Sequence, residues 1–166
     1  MADTYLSHEQ LVEFIATLPT RRLAAGALIR DQQNRLLAVE PNYRDGWALP
    51  GGTVESGEAP RQGCQREVQE EVGLDLEIGR VLLIFHGLSR GVWGDSTYYI
   101  YDGGRISDQA EIKLQEEELL SYQWIEEKDF SHYFGDHFAS RLSSCYRALE
   151  TGETIELSSH DSLQQK

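Results

Sequence analysis

The spacing of apolar residues at the start of the chain predicts a helix. Ser7 followed by Gln10 has the form of a capping box, in which each residue bonds the other's backbone N–H. Apolar residues then recur at helical spacing, at Leu11, Phe14, Ile15 and Leu18. We expect a helix over residues 8–18, ended by Pro19, because proline lacks the N–H that a helix interior needs. Residues 1–20 are therefore predicted to form an N-terminal helical segment.

Runs of strand-forming residues follow, separated by glycines and polar turn residues. Residues 23–30 and 35–40 predict a hairpin. A short extended piece is expected at residues 47–50, where Gly51 and Gly52 would end it. Later strands are predicted at residues 81–85, 97–102 and 121–126, the second of them ended by a pair of glycines.

Two more helices are predicted, one central and one near the end of the chain. The central helix covers residues 58–72, and Gly73 stands where a left-handed C-cap is expected. The last helix has apolar residues at helical spacing, at Phe138, Leu142, Cys145, Tyr146 and Leu149. Residues 21–150 are thus predicted as the main domain, and residues 151–166 as a polar tail that frays. Helices alternating with strands indicate a mixed sheet between helices, in the α/β or α+β class.

Composition and charge narrow the classes of partner. A chain of 166 residues with 40% hydrophobic content is expected to form one domain with a proper core. The formal net charge of −13 opposes binding to nucleic acid, because an acidic surface releases no counterions from the phosphate backbone. No apolar run reaches the length that spans a bilayer, and no secretory signal precedes the domain, so we expect a cytoplasmic protein with no membrane partner. Cys64 and Cys145 are expected to be reduced.

The predicted central helix carries a cluster of carboxylates. Glu67, Glu70 and Glu71 have the spacing i, i+3, i+4, which places them on one helix face. A neighbouring face, expected to pack into the core, carries Cys64, Val68 and Val72. Like charges at this spacing destabilise a bare helix, so a cation is expected, and oxygen-only ligands favour magnesium, manganese or calcium over zinc. The alternative is a solvated acidic face, which is common in a chain this acidic.

The order of residues around these glutamates favours the cation site. Gly52, Glu58 and the run Arg66-Glu-Val-Gln-Glu-Glu-Val-Gly-Leu74 resemble the Nudix box, G-x5-E-x7-R-E-U-x-E-E-x-G-U with U a bulky aliphatic residue, at every defined position. The preceding Trp47-Ala-Leu-Pro50 also resembles the usual approach to this box. We refer to residues 52–74 as the Nudix box. The resemblance implies the Nudix fold and hydrolysis of a nucleoside diphosphate linked to another group.

The resemblance also implies roles for residues of the box. Glu67 and Glu71 are the implied principal ligands of Mg²⁺, for which Mn²⁺ substitutes, and the carbonyl of Gly51 completes the shell. Glu70 is implied as a third ligand or as the catalytic base. Arg66 is implied to orient a neighbouring glutamate.

The catalytic base is open between two positions. The base in this family varies and can lie on a loop before a late strand, and Glu118, six residues ahead of Trp124, resembles that region. Glu118 and Glu70 are therefore both predicted as catalytic residues, and a solvated turn is the alternative for Glu118. Either carboxylate suits the chemistry, since a general base must accept a proton from the attacking water.

The substrate is expected to be a small nucleotide. Residues 88–92 lack the proline and the tyrosine that usually mark the ADP-ribose and diadenosine polyphosphate subgroups of the family. A nucleoside triphosphate or related nucleotide is therefore the expected substrate, with Arg44 and Arg90 as phosphate contacts and Trp93 as a stacking surface for the base. The alternatives are a nucleotide-sugar or ADP-ribose pyrophosphatase and a non-catalytic nucleotide-binding module. A homodimer is left open.

Overall fold

The computed structural model describes residues 5–88, 92, 94–107 and 109–160, which contain three α-helices and seven strands. The helices are α1 (His8–Ala16), α2 (Pro60–Val72) and α3 (Phe130–Thr151). The strands are β1 (Arg22–Arg30), β2 (Leu36–Pro41), β3 (Gly51–Thr53), β4 (Val81–Gly87), β5 (Ser96–Arg105), β6 (Leu119–Ile125) and β7 (Ile155–Ser158). A short 3₁₀ turn, Glu127–Asp129, leads into α3.

The strands form one mixed sheet in the order β6-β2-β1-β5-β4-β7, and β3 pairs with β1 outside this path. β1 is parallel to β5 and antiparallel to β2 and β3. One cluster of buried residues joins the sheet to α2 and another joins it to α3, and we call these two sides the α2 face and the α3 face. The predicted fold, a mixed sheet between helices in a single α/β domain, is confirmed.

β1 is the strand around which the sheet is organised. Leu28 belongs to the core on the α3 face, whereas Ala27 and Ile29 belong to the core on the α2 face. A strand covered on both faces has a nearly continuous apolar sequence instead of an alternating one. The run predicted at residues 23–30 therefore corresponds to a central strand, and its neighbour β3 brings the start of the Nudix box to the middle of the sheet.

Glycines extend strands in two places where the sequence predicted that they would end them. Gly51 and Gly52 belong to β3 and pair with Gly26 and Ala25 of β1. β5 likewise continues past residues 103–104 to Arg105. A Cβ atom on the first glycine of that pair would lie 2.6 Å from Cγ1 of Ile29. Here glycine permits a close approach of neighbouring side chains and does not break the strand.

The expectation that the tail frays is wrong for residues 155–158. They form β7, which pairs in parallel with β4. Ile155 and Leu157 pack against the core of the α3 face, and Glu156 Oε1 lies 2.7 Å from His86 Nε2. These contacts anchor the segment because they combine backbone pairing with apolar burial. Residues 161–166 of the predicted tail lie outside the described residues.

α1 forms as predicted but leaves its apolar side open. The capping box is present: Ser7 Oγ accepts from Gln10 N at 3.2 Å, and Gln10 Oε1 accepts from Ser7 N at 2.9 Å. The helix ends at Ala16, two residues before the predicted end. No residue of α1 is buried, and Phe14 and Ile15 are each more than half exposed. Within the described part of the chain, no helix is long and apolar enough to span a membrane.

Candidate active site

α2 begins at Pro60, two residues after the predicted start, and ends at the predicted C-cap. Its first turn holds Pro60, and Gln62 Oε1 accepts a 2.9 Å hydrogen bond from the N–H of Ala59 at the N-cap. Gly73 at the C-cap has φ of +69°, a conformation that favours glycine. The predicted core side is confirmed, since the following residues are fully buried: Cys64, Val68 and Val72. This burial fixes the rotation of the helix and points its glutamates toward β3.

Arg66 ties three glutamates of the Nudix box together. Its Nε and Nη2 atoms donate to the two carboxylate oxygens of Glu58 at 3.2 and 2.7 Å. Its Nη1 atom donates to Glu67 Oε1 at 2.9 Å and to Glu70 Oε2 at 3.1 Å. The hydrogen bonds from Arg66 hold the pKa of Glu58 below its usual value. Arg66 therefore orients Glu67 and Glu70, and Glu58 anchors Arg66 in turn.

Glu71 is the buried member of the cluster, with only 4% of its surface exposed. Its Oε2 atom accepts a 2.8 Å hydrogen bond from the N–H of Gly51, which joins α2 to β3. Burial raises the pKa of Glu71 to about 7, the Gly51 hydrogen bond partly offsets this, and the charges of Glu67, Glu118 and Glu70 raise it further. A carboxylate in this position gains from a nearby cation.

Gly52 leaves room for the Glu67 carboxylate. A Cβ atom on Gly52 would lie 2.6 Å from Cδ of Glu67, so any larger residue would displace the carboxyl group. Burial raises the pKa of Glu67, Arg66 opposes this, and the charges of Glu70 and Glu118 add to it. The first glycine of the box is thus required by the close approach of α2 to β3.

Glu118 lies near the Nudix box although it is far from it in sequence. Backbone hydrogen bonds from Gln115 N to Glu71 O (2.9 Å) and from Lys113 N to Val72 O (3.0 Å) hold its segment against the end of α2. The exposed carboxylate of Glu118 is close enough for its charge to raise the pKa of both Glu67 and Glu71. The structure therefore brings this predicted residue into the carboxylate cluster.

The donor chemistry of the cluster fits a hard divalent cation. Glu67 and Glu71 supply carboxylate oxygens beside Gly51 and Gly52, and this is the oxygen-only set that magnesium prefers. Over residues 5–88, 92, 94–107 and 109–160, no three Asp, Glu, His or Cys side chains already form a group that could hold an ion. Arg66 donates to one carboxylate oxygen of Glu67 and one of Glu70, which leaves the second oxygen of each for an ion.

A cavity of about 380 Å³ opens beside Gly51, Gly52 and Glu71 and extends along the α3 face. Its aromatic walls are Tyr43, Trp47, Tyr98, Phe134 and Phe138, and its cationic residues are Arg44 and Arg141. A larger cavity, of about 710 Å³, is lined by residues 33–35 and 126–128 and includes no residue of the Nudix box. The smaller cavity is therefore the one that adjoins the carboxylates of the Nudix box.

The structure places some predicted substrate contacts in this cavity and not others. Arg44 lines it, as does Tyr43. Arg90 and Trp93 lie outside the described residues, and their roles stay predictions. Tyr99 packs beside Tyr101 on the α2 face and does not line the cavity.

Sequence reasoning missed Phe134, Phe138 and Arg141, the α3 residues that line the cavity. Phe138 and Arg141 are three residues apart on one face of α3, and Phe134 comes just before a break in the helix at Gly135, whose φ is +71°. Apolar residues at helical spacing usually indicate core packing. Only Arg141 distinguishes this helix face from one that packs into the core.

Comparisons with known proteins identify the family to which the chain is similar. A family model for the NUDIX domain matches residues 20–144. A MutT-like protein of Streptomyces ambofaciens is 27% identical over 118 residues, 71% of each chain. Nucleoside triphosphatase NudI of Escherichia coli O139:H28 is 31% identical over 96 residues, which span 52% of this chain and 66% of that protein. The crystal structure of a MutT protein from Methanosarcina mazei Go1 has a TM-score of 0.65 at 22% identity, covering 83% of this chain and all of that one.

Proposed function

Since the chain belongs to the NUDIX domain family, we propose that it is a divalent-metal-dependent hydrolase that cleaves the pyrophosphate linkage of a nucleoside triphosphate or related nucleotide. The observation that carries this proposal is the position of the carboxylate cluster. Glu71, whose pKa the charges of Glu67 and Glu118 raise, lines a cavity that also has five aromatic rings in its walls. Such a cavity suits a nucleotide, with its phosphates beside the carboxylates and its base against the aromatic rings.

Glu67 and Glu71 are the proposed metal ligands, with the carbonyl of Gly51 as a further oxygen donor. A bound Mg²⁺ or Mn²⁺ supplies charge neutralisation for the phosphate oxygens and lowers the pKa of a bound water. Arg66 keeps Glu67 oriented through the 2.9 Å hydrogen bond to its Oε1 atom. Gly51 N–H holds the Glu71 carboxylate on the side that faces the cavity.

Glu118 is the proposed general base. Glu70, the other candidate, accepts a 3.1 Å hydrogen bond from Arg66, so one of its carboxylate oxygens is already engaged. The Glu118 side chain has no hydrogen bond or ion pair within the described residues, and it lies in the field of Glu67 and Glu71. A free carboxylate beside the metal ligands is placed to accept the proton of the attacking water.

The aromatic walls and Arg44 support a nucleotide as substrate. Each aromatic face that stacks on a base contributes about 1–3 kcal/mol without selecting one base over another. Arg44 lines the cavity with an exposed side chain and is proposed to contact the phosphates. The similarity to a protein named a nucleoside triphosphatase agrees with this choice. All glutamates of the Nudix box are present, which favours catalysis over a binding-only module.

A product analysis tests the proposal directly. The enzyme is incubated with Mg²⁺ and a panel of nucleoside triphosphates, nucleotide sugars, dinucleotides and ADP-ribose in ¹⁸O-labelled water. We expect a nucleoside monophosphate and pyrophosphate from a triphosphate, with the label in one of these two products. Label only in free orthophosphate would show removal of the terminal phosphate and contradict the proposal. Glu71→Gln should strongly reduce turnover, whereas the exposed Glu77→Gln should retain it.

A further inference from the structure

Arg141 of α3 is a cation that the proposed hydrolysis does not use. Its guanidinium carbon lies 3.4 Å from the centroid of the Phe85 ring, and its side chain is partly buried. Burial lowers the pKa of Arg141. Among the described residues it has neither an ion pair nor a hydrogen bond. A partly desolvated guanidinium without an acceptor in the protein is stabilised by a ligand that supplies one.

The position of Arg141 in the cavity indicates which part of a ligand it meets. Phe85 is on β4, two strands from β1, whose Gly26 pairs with Gly51. Gly51 lies on β3, on the other side of β1, so three strand spacings of about 4.8 Å place Arg141 roughly 14 Å from the carboxylate end. Tyr98 of β5 lies between the two ends, and the aromatic rings of α3 complete the walls there. The cavity thus has an acidic end, an aromatic middle and a cationic end.

We propose that Arg141 is a specificity-determining residue that binds the keto edge of the nucleobase and selects guanine over adenine, an inference that rests on the proposed nucleotide substrate. Guanidinium carries donors only. Guanine presents two neighbouring acceptors, O6 and N7, which match the guanidinium fork, whereas adenine presents a donor amine beside N7. The Phe85 ring covers one side of the guanidinium, which limits its hydrogen bonds to directions around its edge.

The surroundings of Arg141 favour a flat base over a second phosphate group. Tyr98 and Phe138 line the same cavity as Arg141, and the centroids of their two rings are 6.4 Å apart. Aromatic walls stabilise a planar ring by stacking, and they offer a hydrated phosphate no hydrogen bonds. The chain's other cation in this cavity, Arg44, is exposed and remains free to meet the phosphates.

Calorimetric titration with GMP and with AMP, in the presence of Mg²⁺, tests this proposal without requiring hydrolysis. We expect the parent protein to bind GMP about tenfold or more tightly than AMP, the discrimination typical of a bidentate arginine–guanine contact. Arg141→Gln should remove this preference by weakening GMP binding, with AMP binding changed less than about twofold. Arg147→Gln, at an exposed position on the same helix, is the matched control and should keep the preference.

Three results would overturn the proposal. They are equal binding of both nucleotides by the parent protein, equal weakening of both by Arg141→Gln, and full guanine preference in Arg141→Lys, which keeps the charge but loses the planar fork. The second would identify an anion shared by both ligands as the partner of Arg141. Thermal melting verifies that each variant is folded. Because binding is measured, a failed hydrolase assignment would leave the GMP preference intact, and the two failures are distinguishable.

Discussion

The α2 face of the sheet takes its chemical groups largely from one continuous segment, residues 51–74, whereas the cavity on the α3 face is lined by segments far apart in the chain. On the α2 face, helical spacing alone sets the positions of Glu67, Glu70 and Glu71. On the α3 face, Trp47, Tyr98 and residues of α3 meet only because the sheet and the last helix bring them together. The two regions join at β3, where Gly51 bonds Glu71 and borders the cavity.

This difference in construction suits the two regions to different tasks, the reaction step and the selection of the substrate. A continuous segment can hold a fixed constellation of charges whatever lies around it, which suits a reaction step common to many substrates. A cavity built from distant segments can change one wall without disturbing the others, which suits selectivity. Changes on the α2 face are therefore expected to lower kcat, and changes on the α3 face to alter KM or ligand preference.

The largest effect is expected for Glu67→Gln. The substitution keeps the shape of the side chain but removes a charge from the proposed metal site, so kcat/KM should fall by about a hundredfold or more. Steady-state kinetics at saturating Mg²⁺ measures the loss, with the exposed Glu77→Gln as control. Normal turnover in Glu67→Gln would mean that the acidic face is only solvated.

Stability should depend on pH through Glu71 when EDTA removes divalent ions. Its pKa is raised from 4.5 to about 7 in the folded protein, so the folded state holds a proton more tightly than the unfolded chain. The free energy of unfolding should therefore rise as pH falls from about 7 toward 4.5, by up to about 3 kcal/mol. Urea unfolding at pH 5 and pH 8 measures this change. An identical pH dependence in Glu71→Gln would contradict it.

Gly52→Ala should lower kcat by roughly tenfold with less effect on KM, because small displacements of catalytic groups are costly. The new methyl group would stand 2.6 Å from Cδ of Glu67, and the carboxylate would have to leave its position beside Arg66. Kinetics over a range of Mg²⁺ concentrations should also show that the variant needs more Mg²⁺ than the parent protein to reach half of its maximal rate. An unchanged kcat would show that Glu67 tolerates displacement.

The smallest effect is expected on the α3 face, where Trp47→Ala should raise KM about fivefold and leave kcat nearly unchanged. Trp47 lines the cavity and packs edge-on against Tyr133, with ring centroids 5.7 Å apart. Trp93→Ala, from the sequence prediction, is tested beside it. A loss of kcat without a change in KM in Trp47→Ala would mean that the division of tasks between the two faces is wrong.

Local features of the fold were predictable from the sequence, and long-range pairings were not. The capping box of Ser7 and the C-cap at Gly73 depend on neighbouring residues, and both form as predicted. β7 was missed because a run of only four residues becomes a strand only where β4 offers an edge to pair with. Glycine is ambiguous for a similar reason, since Gly103 marks a close approach to Ile29 that no local pattern reveals.

In the candidate site, too, features set by nearby residues were predictable and features set by distant segments were not. The positions of Glu67 and Glu71 follow from spacing within one helix, and the structure adds the burial of Glu71 and the N–H of Gly51 that binds it. Arg141 could not be predicted, because its importance depends on Phe85 beneath it and on a cavity formed by other segments. Sequence therefore predicts the chemistry of this protein better than its choice of substrate.

The most direct test of the account is the melting temperature of the parent protein and of Glu71→Gln, each measured with EDTA and with a series of Mg²⁺ concentrations. If Glu71 helps to hold the ion, Mg²⁺ should raise the melting temperature of the parent protein by mass action. At a Mg²⁺ concentration a hundredfold above Kd, the free energy of unfolding should increase by about 2.7 kcal/mol. The variant should be as stable as the parent in EDTA or more so, and Mg²⁺ should stabilise it less. Equal Mg²⁺-dependent shifts in both proteins, or none in either, would contradict the assignment of a metal site to this helix.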